Sequence, residues 1–427
     1  VAYLFASDAG GFGDDGSESI IKCGSFTTDA QAKASATLGF EPQWVMIKRT
    51  DGTENWYMGD IMRGLPQSNG KYLSANASDA EAAVGNYRWA TPTATGFVFD
   101  GGLAASANYI YIAIRRPMKT PESGTEVFAM DTAGGTAPTP PLYTSGFPVD
   151  FFWWRKTDEV YNNIFESRLT GQGELHANST DAEGTDAQLY WDTMTGARTE
   201  SYTAANRQAW MFKRATGFMD VVCYSGTGSQ GYQVNHNLGV IPELIIIKRR
   251  NNASAEGWFV GTEFSATNFT QAKLNVTDTA VNSLAYTSSS IFKAQPTTTN
   301  FTLGNYQDVN NSSGDTYIAY LFATLAGVSK VGSYTGTGSN VDVDCGFAAG
   351  ARFILIKRTD STGDWYVWDS ERGIVAGNDP YLLLNSTAAE VTSTDYVDPL
   401  SSGFTVTSSA PAALNASGGS YIFLAIA

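Results

Sequence analysis

The sequence predicts an all-β chain of four tandem, jelly-roll-like β-sandwich domains, each of about 100 residues. Three observations carry that expectation. First, one short stretch recurs: residues 38–51, 238–251 and 345–360 each run from a Gly-containing turn through a short apolar run to a Lys/Arg pair, and 151–158 is a degenerate fourth copy. Second, only 16% of residues are charged while 13% are aromatic and Gly numbers 43, the make-up of a many-stranded protein with polar turns. Third, the repeat is far longer than the roughly 20–50 residues of solenoid or propeller units.

The apolar run does not alternate, so its strand is expected to be covered on both faces. Four further landmarks set the boundaries. An aromatic-led, Gly/Thr-rich opening begins at Phe26, Tyr224 and Tyr334. After the basic pair comes Asn55-Trp56-Tyr57, Gly257-Trp258-Phe259 or Asp364-Trp365-Tyr366, and two copies continue into Asp60-x-x-Arg63-Gly64 and Asp369-x-x-Arg372-Gly373. A Leu-led segment rich in Asn and Thr follows at 73–81 and 175–183, with weaker relatives at 274–278 and 384–388. Phe97, Phe301 and Phe404 mark a Gly/Asn-Phe strand, and each unit closes on an aromatic strand at 109–113, 209–212, 317–322 or 421–425.

These landmarks divide the chain into units at 8–119, 120–216, 217–327 and 328–427. Residues 1–7 match 318–324, so they are expected to be the last strand of a preceding repeat in a longer polypeptide. Little helix is expected; 78–84 and its equivalents have the propensity for a single turn. The second unit departs from the pattern, with Asn162-Asn163-Ile164 where the others carry Trp and a Pro-rich edge or linker at 136–141. It is either a diverged sandwich or one whose face makes a contact the others do not.

Charge and composition exclude several function classes. With 27 Lys and Arg against 42 Asp and Glu, the net charge of −15 disfavours nucleic acid and anionic membranes as partners. No apolar run approaches the roughly 20 residues needed to span a bilayer, so no membrane insertion is expected. Cys23, Cys223 and Cys345 occupy non-equivalent places, against a disulfide framework or zinc site. His176 and His236 lie in different units, which leaves no repeated Ser-His-Asp or His-metal centre. A carboxylate pair for glycoside hydrolysis stays open as the enzymatic alternative.

The candidate ligand-binding residues are Trp56, Asp60 and Arg63 in the first unit, Trp258 in the third, and Trp365, Asp369 and Arg372 in the fourth. An aromatic platform beside a fixed carboxylate and guanidinium has the ingredients of sugar recognition. The same residues also suit a core Trp and an ion pair pinning a turn. The basic pairs Lys48-Arg49, Lys248-Arg249 and Lys357-Arg358 read either as an anion site or as charges guarding an apolar strand. The loops 8–15 and 308–315 offer oxygens of the kind Ca²⁺ accepts but lack an ordered ligand pattern. No cofactor or metal is expected.

The set Tyr-x-Gly-Thr-Gly-Ser, Leu-Gly-x-x-Pro-x-x-Ile-Ile-Ile-Lys, Asn/Asp-Trp-Tyr, Asp-x-x-Arg-Gly, Gly-Phe and a final Tyr-Ile-x-x-Ala strand resembles repeats of tail and tail-fibre proteins of tailed, largely marine, bacteriophages. Those repeats are similar to laminin-G or concanavalin A-like jelly rolls. The resemblance covers residues 217–427 and the first unit well and the second partly. It implies a non-enzymatic, extracellular virion-surface protein whose partners are other virion proteins and a host glycan or receptor. The alternatives are a purely structural virion module, such as a capsid decoration or fibre shaft, a glycan depolymerase, or a secreted bacterial adhesin. A homo-oligomer is expected, and with no heptads in the sequence it must assemble through β faces or through segments outside these residues.

Overall fold

Each copy of the repeated apolar run forms a strand at the middle of a large antiparallel sheet. In the computed structural model the described residues are 2–7, 10–13, 16–65, 71–83, 90–117, 119–133, 141–186, 189, 191, 193–198, 206–252, 257–311 and 314–427. The chain is all-β, and Ala412–Asn415 is the one α-helix among the described residues.

In the first unit the spatial order is Ile21–Thr27, Asn108–Arg115, Pro42–Arg49, Tyr57–Asp60, Lys71–Ser74 and Ala82–Ala83. A small sheet of Ala34–Thr37, Gly96–Phe99 and Thr91–Thr93 closes the sandwich. The same order recurs around Phe151–Lys156, Leu244–Arg249 and Phe353–Arg358. In every unit the closing strand lies between the opening strand and the Lys/Arg strand, so the two ends of the unit hold each other.

Alternate residues of each central strand enter the unit's own core: Val45 and Ile47, Phe152 and Trp154, Ile245 and Ile247, Ile354 and Ile356. The residues between them point the other way. In the second, third and fourth units these enter one shared core that includes Phe151, Trp153, Leu244, Ile246, Phe353 and Leu355. Across it Phe151 meets Tyr320 at 4.6 Å, Phe165 meets Trp258 at 5.4 Å and Phe128 meets Phe353 at 5.4 Å between ring centroids. In these three units the expected double cover is present, and its second half comes from neighbouring units rather than from the small sheet; in the first unit Trp44 and Met46 are only half-buried.

The first unit joins the rest at its strand ends. Glu41, just before Pro42–Arg49, and Arg116, just after Asn108–Arg115, meet Arg214 and Asp150 in a buried ionic cluster.

Two expectations need correction or limits. The helical turn at 78–84 does not form: Ala82–Ala83 pairs as a strand with Lys71 and Tyr72, because sheet pairing outweighs weak helix propensity; residue 84 lies outside the described residues. Residues 2–7 do not pair as a strand; the Ser7 hydroxyl donates to Cys23 O at 3.2 Å and accepts from Cys23 N at 3.0 Å. Most of the Pro-rich passage 136–141 and parts of the loops 8–15 and 308–315 lie outside the described residues.

Candidate functional site

Trp258 and Trp365 lie on the outer faces of their large sheets, where the second, third and fourth units meet. In every unit an Asn side chain accepts the backbone N–H at the Trp position: Asn76 from Trp56 at 2.8 Å, Asn178 from Asn163 at 2.7 Å, Asn275 from Trp258 at 3.0 Å and Asn385 from Trp365 at 2.8 Å. That bond ties the second landmark to the third and aligns the four units.

Two donors then cross between units. Trp258 Nε1 donates to His176 O at 3.0 Å, Trp365 Nε1 to Lys273 O at 2.9 Å and Asn163 Nδ2 to Leu383 O at 3.0 Å. Each acceptor stands two residues before the pinning Asn of its unit. Lys248 Nζ donates to Thr180 O at 3.0 Å, Lys357 Nζ to Thr277 O at 3.2 Å and Arg155 NH2 to Thr387 O at 3.3 Å. Each of these acceptors stands two residues after it. The third unit thus holds the second, the fourth holds the third and the second holds the fourth. A head-to-tail contact closes on itself after three steps.

This geometry decides between readings left open by the sequence. Lys248 and Lys357 are buried, and desolvation lowers each amine to about 8. They bridge units rather than hold an anion. The second unit is a diverged sandwich that makes the common contact with Asn163 and Arg155 in place of Trp and Lys.

Trp258, Trp365 and Asp369 are fully enclosed, and the side chain of Arg372 is 6% exposed. Asp369 pairs with Arg372 at 2.7 Å and accepts Trp210 Nε1 at 3.0 Å, while the guanidinium of Arg372 lies 5.7 Å from a Trp210 ring centroid. A sugar cannot reach these four without parting the units. In the first unit the same device is open. Asp60 accepts from Met62 N and Arg63 N, pairs with Arg63 at 2.9 Å, and Arg63 pairs with Glu81 at 2.7 Å; the Asp60 and Arg63 side chains are 24% and 39% exposed. Trp56 is half-buried.

Sequence reading missed an acidic cluster in the second unit. Glu166, Glu174 and Asp186 bring carboxylate oxygens within 4.8 Å of one another. Arg198 sits among them, 3.1 Å from Glu166 and also paired with Asp186, on a left-handed backbone at φ 59°. The guanidinium supplies the positive charge that a metal ion would bring. Burial first, then Asp186 and Glu174, push the Glu166 carboxyl up to about 8 against the pull of Arg198. Its folded value above the unfolded one means stability is lost as pH rises between about 4.5 and 8. Glu166→Gln is expected to flatten the dependence of Tm on pH in that window; an unchanged slope would refute the assignment. No local sequence signal marks this cluster, because its members come from three separate strands and loops.

His236 is buried and accepts from Leu238 N through Nδ1 at 3.2 Å. Burial lowers its imidazole to about 4. With the folded value below the unfolded one, stability is lost as pH falls from about 6.5 towards 4. His236→Gln should therefore lose less Tm than the parent chain on acidification, measured by thermal unfolding at pH 7 and 4.5.

A cleft of about 410 Å³ between the first and third units is lined by Thr91, Thr93, Tyr224, Gln233 and Asn235 among others. No helix among the described residues is long and apolar enough to cross a membrane. Fold and site together define a tandem β-sandwich protein whose recurrent polar residues serve contacts between repeats. The chain belongs to the family of the domain of unknown function DUF7483, whose pattern matches residues 1–116 and 124–427. Compared with curated proteins, it has no match.

Proposed function

We propose that this protein is a non-enzymatic structural component of a virion appendage, a tail fibre or similar, at the virion surface. The observation that carries the reading is the shared core of the second, third and fourth units, which turns three sandwiches into one block and encloses Trp258, Trp365 and Asp369. A block closed by a ring of hydrogen bonds resists bending, as a shaft or spacer requires. The location comes from the resemblance of its repeats to those of tailed-phage tail proteins. The acidic cluster suits this reading too: Glu166 is fully buried and Arg198 pairs with both Glu166 and Asp186.

Electron cryo-microscopy of purified particles carrying the chain is the test. Expected is one three-sided density per chain for residues 127–426, within or along the appendage. Density for the chain in the capsid shell, away from any appendage, would overturn the location.

Contact with a host glycan is a second reading, favoured by the open Trp56, Asp60 and Arg63. It expects binding on a glycan array that Asp60→Asn abolishes; an array without signal removes it.

A further inference from the structure

The outer face of the first unit carries the interlock that the other three use but is less covered: Ile112 is buried, Trp44, Met46, Met58 and Ile114 are half-buried, and Ile110 is exposed. Trp44, Met46 and Met58 stand where Leu244, Ile246 and Val260 enter the shared core, and Ile110, Ile112 and Ile114 stand where Ile318, Tyr320 and Phe322 do. None of the six belongs to that core or to the unit's own. Ile110 is 42% exposed, whereas its equivalents Ile318 and Ile422 are 0% and 3% exposed. An apolar sheet face of this kind is a docking surface when its equivalents are all paired.

The polar half of the contact is present as well. Trp56 holds the place of Trp258 and Trp365, and Lys48 that of Lys248 and Lys357. Lys48 Nζ bonds Glu54 O in its own loop, as Lys357 bonds Gly363 O before reaching across to Thr277 O. The matching acceptors, two residues before and after Asn76, are the carbonyls of Ser74 and Ser78. The first unit therefore owns both the donor side and the acceptor side of a head-to-tail contact that, in this fold, closes after three members. Its junction with the rest of the chain uses Glu41 and Arg116 at the strand ends and leaves Ile110 exposed and Trp44, Met46, Met58 and Ile114 only half-buried.

We propose that the first units of three copies of this chain pack by that face into a ring, repeating between chains what the second, third and fourth units do within one. The occupant is a second and a third copy, because among the described residues the equivalent faces of the other units are already taken. In the ring Trp56 Nε1 of one copy donates to Ser74 O of the next and Lys48 approaches Ser78 O. The inference stands apart from the appendage reading: the ring is tested on the isolated chain, whatever particle carries it.

Sedimentation equilibrium of the purified chain is the first experiment. A species of 3 × 45.8 = 137 kDa is expected. A single-chain or two-chain mass overturns the ring. Ile110→Lys with Met46→Lys places charges on the face and is expected to give single chains; a three-chain mass in that variant means the contact lies elsewhere and ends the proposal. Because two added lysines test folding as well as docking, Trp56→Phe serves as the milder variant. It keeps the aromatic ring and removes Nε1–H, and it is expected to weaken association by about tenfold for each hydrogen bond removed. Unaltered association in Trp56→Phe would also count against the geometry.

Discussion

Trp258→Ala is expected to unfold the second, third and fourth units together, in one transition well below that of the parent chain. Trp258 is fully buried in the shared core, against Phe165 from the second unit and Tyr320 from its own. Removing a buried Trp side chain costs about 3–5 kcal/mol through lost transfer free energy and the cavity left behind. His176 O also loses the indole donor, which adds about 1 kcal/mol. For a block of this size each kcal/mol lowers Tm by roughly 2–4 °C, so a fall of about 8 °C or more is expected. Calorimetry is the measurement. Independent sandwiches would give separate peaks, with only the third unit displaced; that outcome would refute the shared core as an energetic unit.

The same residue illustrates what could be read in advance. The run Leu244-Ile245-Ile246-Ile247 announced a strand covered twice, because alternation is lost only when both faces leave water. It could not say who provides the second cover. Likewise, Trp365 beside Asp369 and Arg372 was legible as a group on one face. Whether the group meets a sugar or another unit depends on what sits above it, and an aromatic with an ion pair has the same composition in either role. The pinning residues Asn76, Asn178, Asn275 and Asn385 were visible as a recurring segment, yet their pairing with the Trp position needed the fold. In the second unit, Asn163 and Arg155 replace Trp and Lys with different donors of comparable reach. Chemistry was kept there while letters changed, which hides equivalence from a reading by landmark. The triad Glu166, Glu174 and Asp186 had no local pattern at all, since strand pairing and loop closure bring it together.

Arg214→Leu is expected to be the most damaging single change at the junction of the first three units. Its guanidinium makes two bonds of 2.7 Å to Glu41, lies 3.5 Å from Asp220 and 3.7 Å from Asp150, and is itself buried. Asp150 further accepts from Arg214 N at 2.8 Å and pairs with Arg116 at 2.5 Å. Burial alone would raise the Asp150 carboxyl, but Arg116, Arg214 and Arg168 together hold it below the usual aspartate value. Its contribution is thus present above the unfolded value and lost as pH falls through the folded one. For Asp220 burial wins over Arg214, and its carboxyl is raised. Removing one partner of such a buried cluster costs about 3–5 kcal/mol, because the remaining charges stay enclosed without compensation. Arg214→Lys keeps the charge but not the two-pronged bond to Glu41, so it should fall between the parent chain and the leucine variant. The pH dependence separates this cause from a simple packing defect. In Arg214→Leu the orphaned Asp220, already raised by burial, loses the guanidinium that opposes the rise, so acidification relieves its penalty. The Tm deficit of Arg214→Leu relative to the parent is therefore expected to shrink between pH 7 and 4.5, whereas a packing defect would leave it constant. A deficit that stays constant or grows on acidification would place the loss in shape rather than charge.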